Sequence, residues 1–156
     1  MTLRPILAGL FALGLILAVG LHAASPEITV YKTATCGCCG KWITHLKENG
    51  FQVTVHEVPS TDPYRKKFGV PEDLGSCHTA VVAGYSIEGH VPAADIQRLL
   101  KERPKAKGLA APGMPMGSPG MEAPGVSANY SVLLFQEDGS TSVYQEHRST
   151  PAPASR

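Results

Sequence analysis

Neither sign of charge prevails in this 156-residue sequence: 14 Lys and Arg face 13 Asp and Glu, for a net charge of +1 with histidine neutral. So weak a global field excludes nucleic acid and an anionic membrane surface as partners attracted by charge. Cysteine is also scarce. Four such residues are too few for a disulfide scaffold, and their distribution is wrong for one: Cys36, Cys38 and Cys39 share one loop, Cys36-Gly37-Cys38-Cys39, and the fourth is Cys77. Adjacent cysteines rarely all staple distant segments, so the cluster reads as a chemical site.

Charge is absent altogether from Ile6 to Leu21, a run that follows Arg4 and ends before Ser25-Pro26-Glu27. A basic residue ahead of a short apolar stretch has the form of a secretory signal, so residues 1–24 are expected to direct export. The run is slightly short for a spanning helix, yet His22-Ala23-Ala24-Ser25 lacks a clean small-x-small cleavage site, which leaves an uncleaved anchor as the alternative. About 130 residues remain, enough for one compact domain, expected over 27–146, and a disordered tail over 147–156. Exported thiols tend to be oxidised unless something holds them.

The body alternates between two periodicities. Ile28-Thr29-Val30-Tyr31 predicts a strand ending just before the cysteine loop, and Trp42, Ile43 and Leu46 predict a helix from about Cys39 to Glu48, stopped at Asn49-Gly50. Phe51, Val53 and Val55 alternate as a half-buried strand, completing a β-α-β unit. Asp62-Pro63 reads as an N-cap and first helical residue, Cys77 to Val82 leads into a third strand, Ser86-Ile87-Glu88 pairs back across Gly84, and Pro92 opens a helix carrying Ile96, Leu99 and Leu100. This order, β-α-β-α-β-β-α, is that of the thioredoxin fold, an α/β layer arrangement. Residues 104–128 turn to Gly, Pro, Ala, Met and Ser without periodicity and are expected to lack regular structure; Tyr130–Phe135 and Thr141–Tyr144 then predict a β-hairpin.

Four soft sulfur ligands, followed by Met114, Met116 and Met121 in a Gly/Pro-rich segment, favour copper, because thioether sulfur is soft and needs no deprotonation. Thiols at a helix N-terminus are biased towards thiolate by the backbone N–H groups there. Three of them crowded together cannot all direct good angles at one small ion, but thiolate bridges, which points to several Cu(I) ions in a cluster. The competing reading is a thiol-disulfide oxidoreductase, with Cys36 attacking and Cys39 resolving. Cys38 argues against it, since a third thiol offers competing disulfides to an oxidoreductase and a further ligand to a metal. A four-cysteine zinc site is disfavoured by the crowding and the methionines.

The spaced motifs Tyr31-Lys32, Cys36-Gly37-Cys38-Cys39-Gly40-Lys41-Trp42, Leu74-Gly75-Ser76-Cys77-His78-Thr79, Glu88-Gly89-His90-Val91-Pro92-Ala93 and Gly108 through Glu122 resemble the CopG-like periplasmic copper-resistance proteins, the family long labelled domain of unknown function 411. The resemblance runs from Ile28 to Tyr144. It implies a thioredoxin-like fold, a periplasmic location, and copper bound by the cysteines with further His or Met ligands; it supplies no substrate for turnover. Copper ions are the expected partners, exchanged with periplasmic copper chaperones or efflux components, and membrane contact is confined to an uncleaved leader. His78 reads equally as a ligand or a loop-shaping residue, and His90 divides the same way. His45 and His56 are expected on solvated faces, and His147 in the tail. Coordination is the expected source of order for Gly108 to Met121, which has little apolar area of its own.

Overall fold

Alternating Ile28 and Val30 build β1 (Glu27–Lys32), the strand on which the rest is laid, in a computed structural model that describes residues 25–149. The leader expected at 1–24 and the end of the tail lie outside the described residues. From β1 the chain enters α1 (Gly37–Glu48) and returns as β2 (Gln52–Glu57), parallel to β1 with Ile28 opposite Val53. Helix α2 (Asp62–Lys67) and a 3-10 turn at Glu72–Leu74 follow. Strands β3 (His78–Val82) and β4 (Tyr85–Gly89) form a hairpin through Ala83 and Gly84, both at positive φ as such a tight turn requires. Helix α3 (Ala93–Glu102) crosses back to β5 (Gly108–Ala111), parallel to β4. The hairpin β6 (Asn129–Phe135) and β7 (Thr141–Arg148) completes a mixed α/β structure with one seven-stranded sheet, ordered β2-β1-β3-β4-β5-β6-β7.

The sheet is covered on both faces. On one, Trp42, Ile43 and Leu46 of α1 and Ile96 and Leu99 of α3 pack on Ile28, Val30, Ala80, Val82, Ile87, Leu109 and Val132. On the other, Val70 and Leu74 pack on Ala110 and Phe135, while Tyr31 stacks between Tyr64 and His56. Period-2 alternation along β1 thus sends Val30 to one layer and Tyr31 to the opposite one.

Four expectations need correction. Strand β2 is an edge strand, mostly exposed, with Val55 37% exposed rather than half-buried in a core. Helix α2 begins with Asp62 as its first residue after Thr61, so Asp62 is not the cap, and its carboxylate instead accepts a hydrogen bond from Arg65 at 2.7 Å. The segment 104–128 is not devoid of regular structure, because Gly108–Ala111 is a fully buried strand between β4 and β6. Its small residues hide it from a search for β-branched alternation, yet smallness is what the place demands: a Cβ on Gly108 would lie 1.8 Å from the Ser86 carbonyl oxygen. Finally, β7 extends through His147 and Arg148, so His147 belongs to the sheet and not to a tail, and it meets Asp95 of α3 at 2.6 Å.

Substituting Gly108→Ala should force β5 away from β4 and cost about 1–3 kcal/mol or more, as overpacking does. The urea midpoint should fall accordingly; an unchanged midpoint would mean that β5 is not wedged in the sheet.

Candidate metal centre

One end of the sheet collects the chemistry. The C-terminal ends of β1, β4 and β5 and the N-terminal end of β3 lie side by side there, with Lys32 opposite His78, Thr79 opposite Glu88, and Gly89 opposite Ala111. The cysteine loop leaves β1 at this end, Cys77 precedes β3, and His90 follows β4. Segments far apart in sequence are therefore brought together by register.

Cys36 is the N-cap of α1 and Cys39 lies in its first turn; the two form a disulfide with Cα atoms 5.4 Å apart. The Cys38 sulfur lies 3.6 Å from that of Cys36, and the Cys77 sulfur 3.5 Å from that of Cys39. All four Sγ atoms fall within 4.8 Å of one another. Cys77 also belongs to a second set with His78 and His90: its sulfur lies 3.4 Å from His78 Nδ1 and 3.1 Å from His90 Nε2. Both imidazoles are fully buried.

The surroundings dictate protonation. His90 Nδ1 lies 2.8 Å from the Pro119 carbonyl, which can only accept, so Nδ1 carries the proton and Nε2 presents its lone pair to Cys77. Burial lowers the His90 pKa, which keeps the ring neutral. His78 is pushed down to about 3, first by burial and then by neighbouring His90, with the Gly89 carbonyl opposing. Trp42 lies against its ring at 4.2 Å between centroids, and His78 Nε2 is buried without a well-directed hydrogen-bond partner among the described residues. The Cys77 thiol is pushed up to about 12 by burial and by the neighbouring Cys38, with the Ser76 hydroxyl opposing. A half-buried, protonated thiol beside two neutral imidazoles can exchange its proton for a soft cation. The donor set of sulfur and imidazole fits copper, and no carboxylate belongs to either set.

The methionines are placed differently. Met114 and Met116 are 54% and 47% exposed, so the structure does not enclose this pair with the thiols; Met121 is half-buried. The backbone between them does reach the site. Gly113 bridges to Ser76 in parallel, beside Cys77. Ser118, Pro119 and Gly120 are buried, the Gly120 N–H donates to Glu122, and a Cβ on Gly120 would meet the Cys38 carbonyl oxygen at 2.8 Å. Gly117–Met121 also closes on itself through Gly117 N–H to the Met121 carbonyl at 3.0 Å and Met121 N–H to the Ser118 carbonyl at 2.8 Å. Backbone hydrogen bonds and close packing hold this loop against the site, a contribution that composition does not reveal.

Sequence reasoning missed several contributors. His45 is not a solvated residue: its half-buried Nε2 accepts the Ala93 N–H at 3.1 Å, at the start of α3. His56 is exposed, as expected. The Pro119 carbonyl has no sequence signal at all. Trp42 does, one helical turn after Cys38.

The family described as "Protein of unknown function, DUF411" matches residues 74–121. A solved structure of "Copper resistance protein copG", Form 2, is 47% identical, covering 78% of this chain and 98% of its own, with a TM-score of 0.74. The chain belongs to the CopG-like DUF411 family. Form 1 of the same protein is 46% identical over 79% of this chain and 98% of its own, also with a TM-score of 0.74. No curated protein matches the chain. In this CopG-like chain the family match spans Cys77, His78, His90, Met114, Met116 and Met121.

The depressed histidines make folding sensitive to acid. Below the ordinary value of 6.5 the unfolded chain takes up protons that the folded chain refuses, so stability is lost as pH falls through that value towards 3. For His78 alone the loss at pH 5 is about 2 kcal/mol. Urea denaturation at pH 7 and pH 5 should show a larger drop for the native chain than for His78→Phe; identical drops would refute a neutral, buried His78.

Proposed function

We propose that this chain binds copper for resistance or homeostasis, holding Cu(I) through Cys36, Cys38, Cys39 and Cys77 with His90 and His78 as nitrogen ligands. The observation that carries the reading is the convergence of four Sγ atoms within 4.8 Å of one another. The name of its relatives, copper resistance protein, supports the choice of metal. With the Cys36–Cys39 bond reduced, four thiolates this close are too crowded for one ion with good angles, and thiolate bridging between several Cu(I) ions relieves the crowding. Exposed Met114 and Met116 act at the rim, as thioethers that hold Cu(I) near the entrance, with Met121 nearer the cysteine helix. Copper redox turnover is compatible with the set and carries no named substrate.

A thioredoxin-like architecture is supported by the parallel β1-α1-β2 unit, the antiparallel β3-β4 hairpin and the helix after it. Export to the periplasm is inferred from the leader-like residues 1–24, and copper chaperones or efflux components there are the natural exchange partners. No helix among the described residues is long and apolar enough to cross a membrane.

The Cys36–Cys39 disulfide favours one further reading, a thiol-disulfide oxidoreductase. Cys38→Ser separates the two. It should lower the number of Cu(I) ions per chain while leaving Cys36/Cys39 exchange intact; unchanged copper with collapsed insulin disulfide reduction would give precedence to the oxidoreductase. Replacing Met114, Met116 and Met121 together by Leu retains apolar bulk and removes the thioethers. Cu(I) retention against a chelator should weaken with the fold preserved, and undiminished retention would make the methionines ordinary loop residues.

A further inference from the structure

We infer that the Arg65–Glu88 pair is a positioning device that sets the orientation of Cys77 and His90, an inference that rests on the copper reading above. Glu88 lies in β4, fully buried, where a carboxylate is costly unless every lone pair is engaged. Its Oε1 accepts the Arg65 Nε–H at 2.9 Å and the Ser76 N–H at 2.7 Å, and its Oε2 accepts the Thr79 hydroxyl at 2.6 Å. Arg65 in turn donates to the Ser76 carbonyl at 2.6 Å and to Asp62 at 2.7 Å.

Ser76 and Thr79 bracket the dipeptide Cys77-His78. One carboxylate therefore grips both ends of the segment that carries two proposed ligands, and Arg65 holds the peptide group joining Ser76 to Cys77. Glu88 also sits two residues before His90 on the same chain segment, so the sulfur and the imidazole that approach to 3.1 Å are referred to one fixed point. A pair that served only to dock α2 would have no need to reach the Ser76 backbone from both sides. Helix α2 has no buried residue; it docks by stacking Tyr64 on Tyr31, and Arg65 reaches past that contact to Glu88 and Ser76.

Three variants test this. Glu88→Ala deletes the grip. Arg65→Lys keeps the charge but replaces a forked guanidinium by an ammonium that cannot serve Glu88 and the Ser76 carbonyl with the same geometry. Glu88→Gln is the conservative rescue, because its amide oxygen can still accept from Ser76 and its amide N–H can donate to Thr79. In metal-free, reduced protein, mass-mapped iodoacetamide labelling of Cys77 should accelerate about fivefold or more in the first two variants, and Cu(I) affinity by chelator competition should weaken about tenfold, the scale of lost outer-shell support. Glu88→Gln should stay close to the native protein in both. If Glu88→Ala does not fold by circular dichroism, Arg65→Lys decides, since Arg65 is 14% exposed on a surface helix. Native labelling rates and affinities within twofold in folded Arg65→Lys would overturn the inference. Absence of Cu(I) binding by the native chain would instead remove the copper reading, and the labelling arm would still decide the positioning role.

Discussion

Four sulfur atoms confined within 4.8 Å of one another are the constraint on which the rest of this structure turns. Thiolates that close repel strongly in a half-buried setting, and the system has three ways out: keep protons, form disulfides, or accept cations. The structure displays the first two, with Cys77 held protonated by burial and Cys36 joined to Cys39. The third is the proposed copper binding, in which a soft monovalent cation would neutralise thiolates and use their capacity to bridge. Neutral His78 and His90 would add donors without adding negative charge.

The scaffold supports this by register more than by local sequence. Strands β1, β3, β4 and β5 end together, so the cysteine helix, the Cys77 loop, His90 and the Gly/Pro-rich segment meet at one edge. The Pro119 carbonyl selects the His90 tautomer, and the Glu88 carboxylate holds the chain on either side of Cys77-His78. Both are outer groups whose work is to orient a donor that another element supplies.

Much of this was legible in the sequence. Helical spacing at Trp42, Ile43 and Leu46, alternation at Ile28 and Val30, and the turn at Gly84 each report local physics and correspond to α1, β1 and the β3-β4 hairpin. What failed was what depends on neighbours. Val55 alternates like a buried residue but falls on the edge strand, and Gly108–Ala111 carries no pattern because its side chains are small where β4 and β6 close in. His45 looked like a surface residue and His147 like part of a tail, and only their partners, Ala93 and Asp95, show otherwise. The cysteines and His90 were legible as candidates; the Pro119 carbonyl, being backbone, was not.

The most direct test of the central claim is X-ray absorption at the copper edge of the reduced protein, reconstituted with Cu(I) without oxygen and counted per chain. The account predicts more than one Cu(I), a shell dominated by sulfur with a minor nitrogen contribution, and a short copper–copper distance. A single copper in a nitrogen- or oxygen-dominated shell would contradict it.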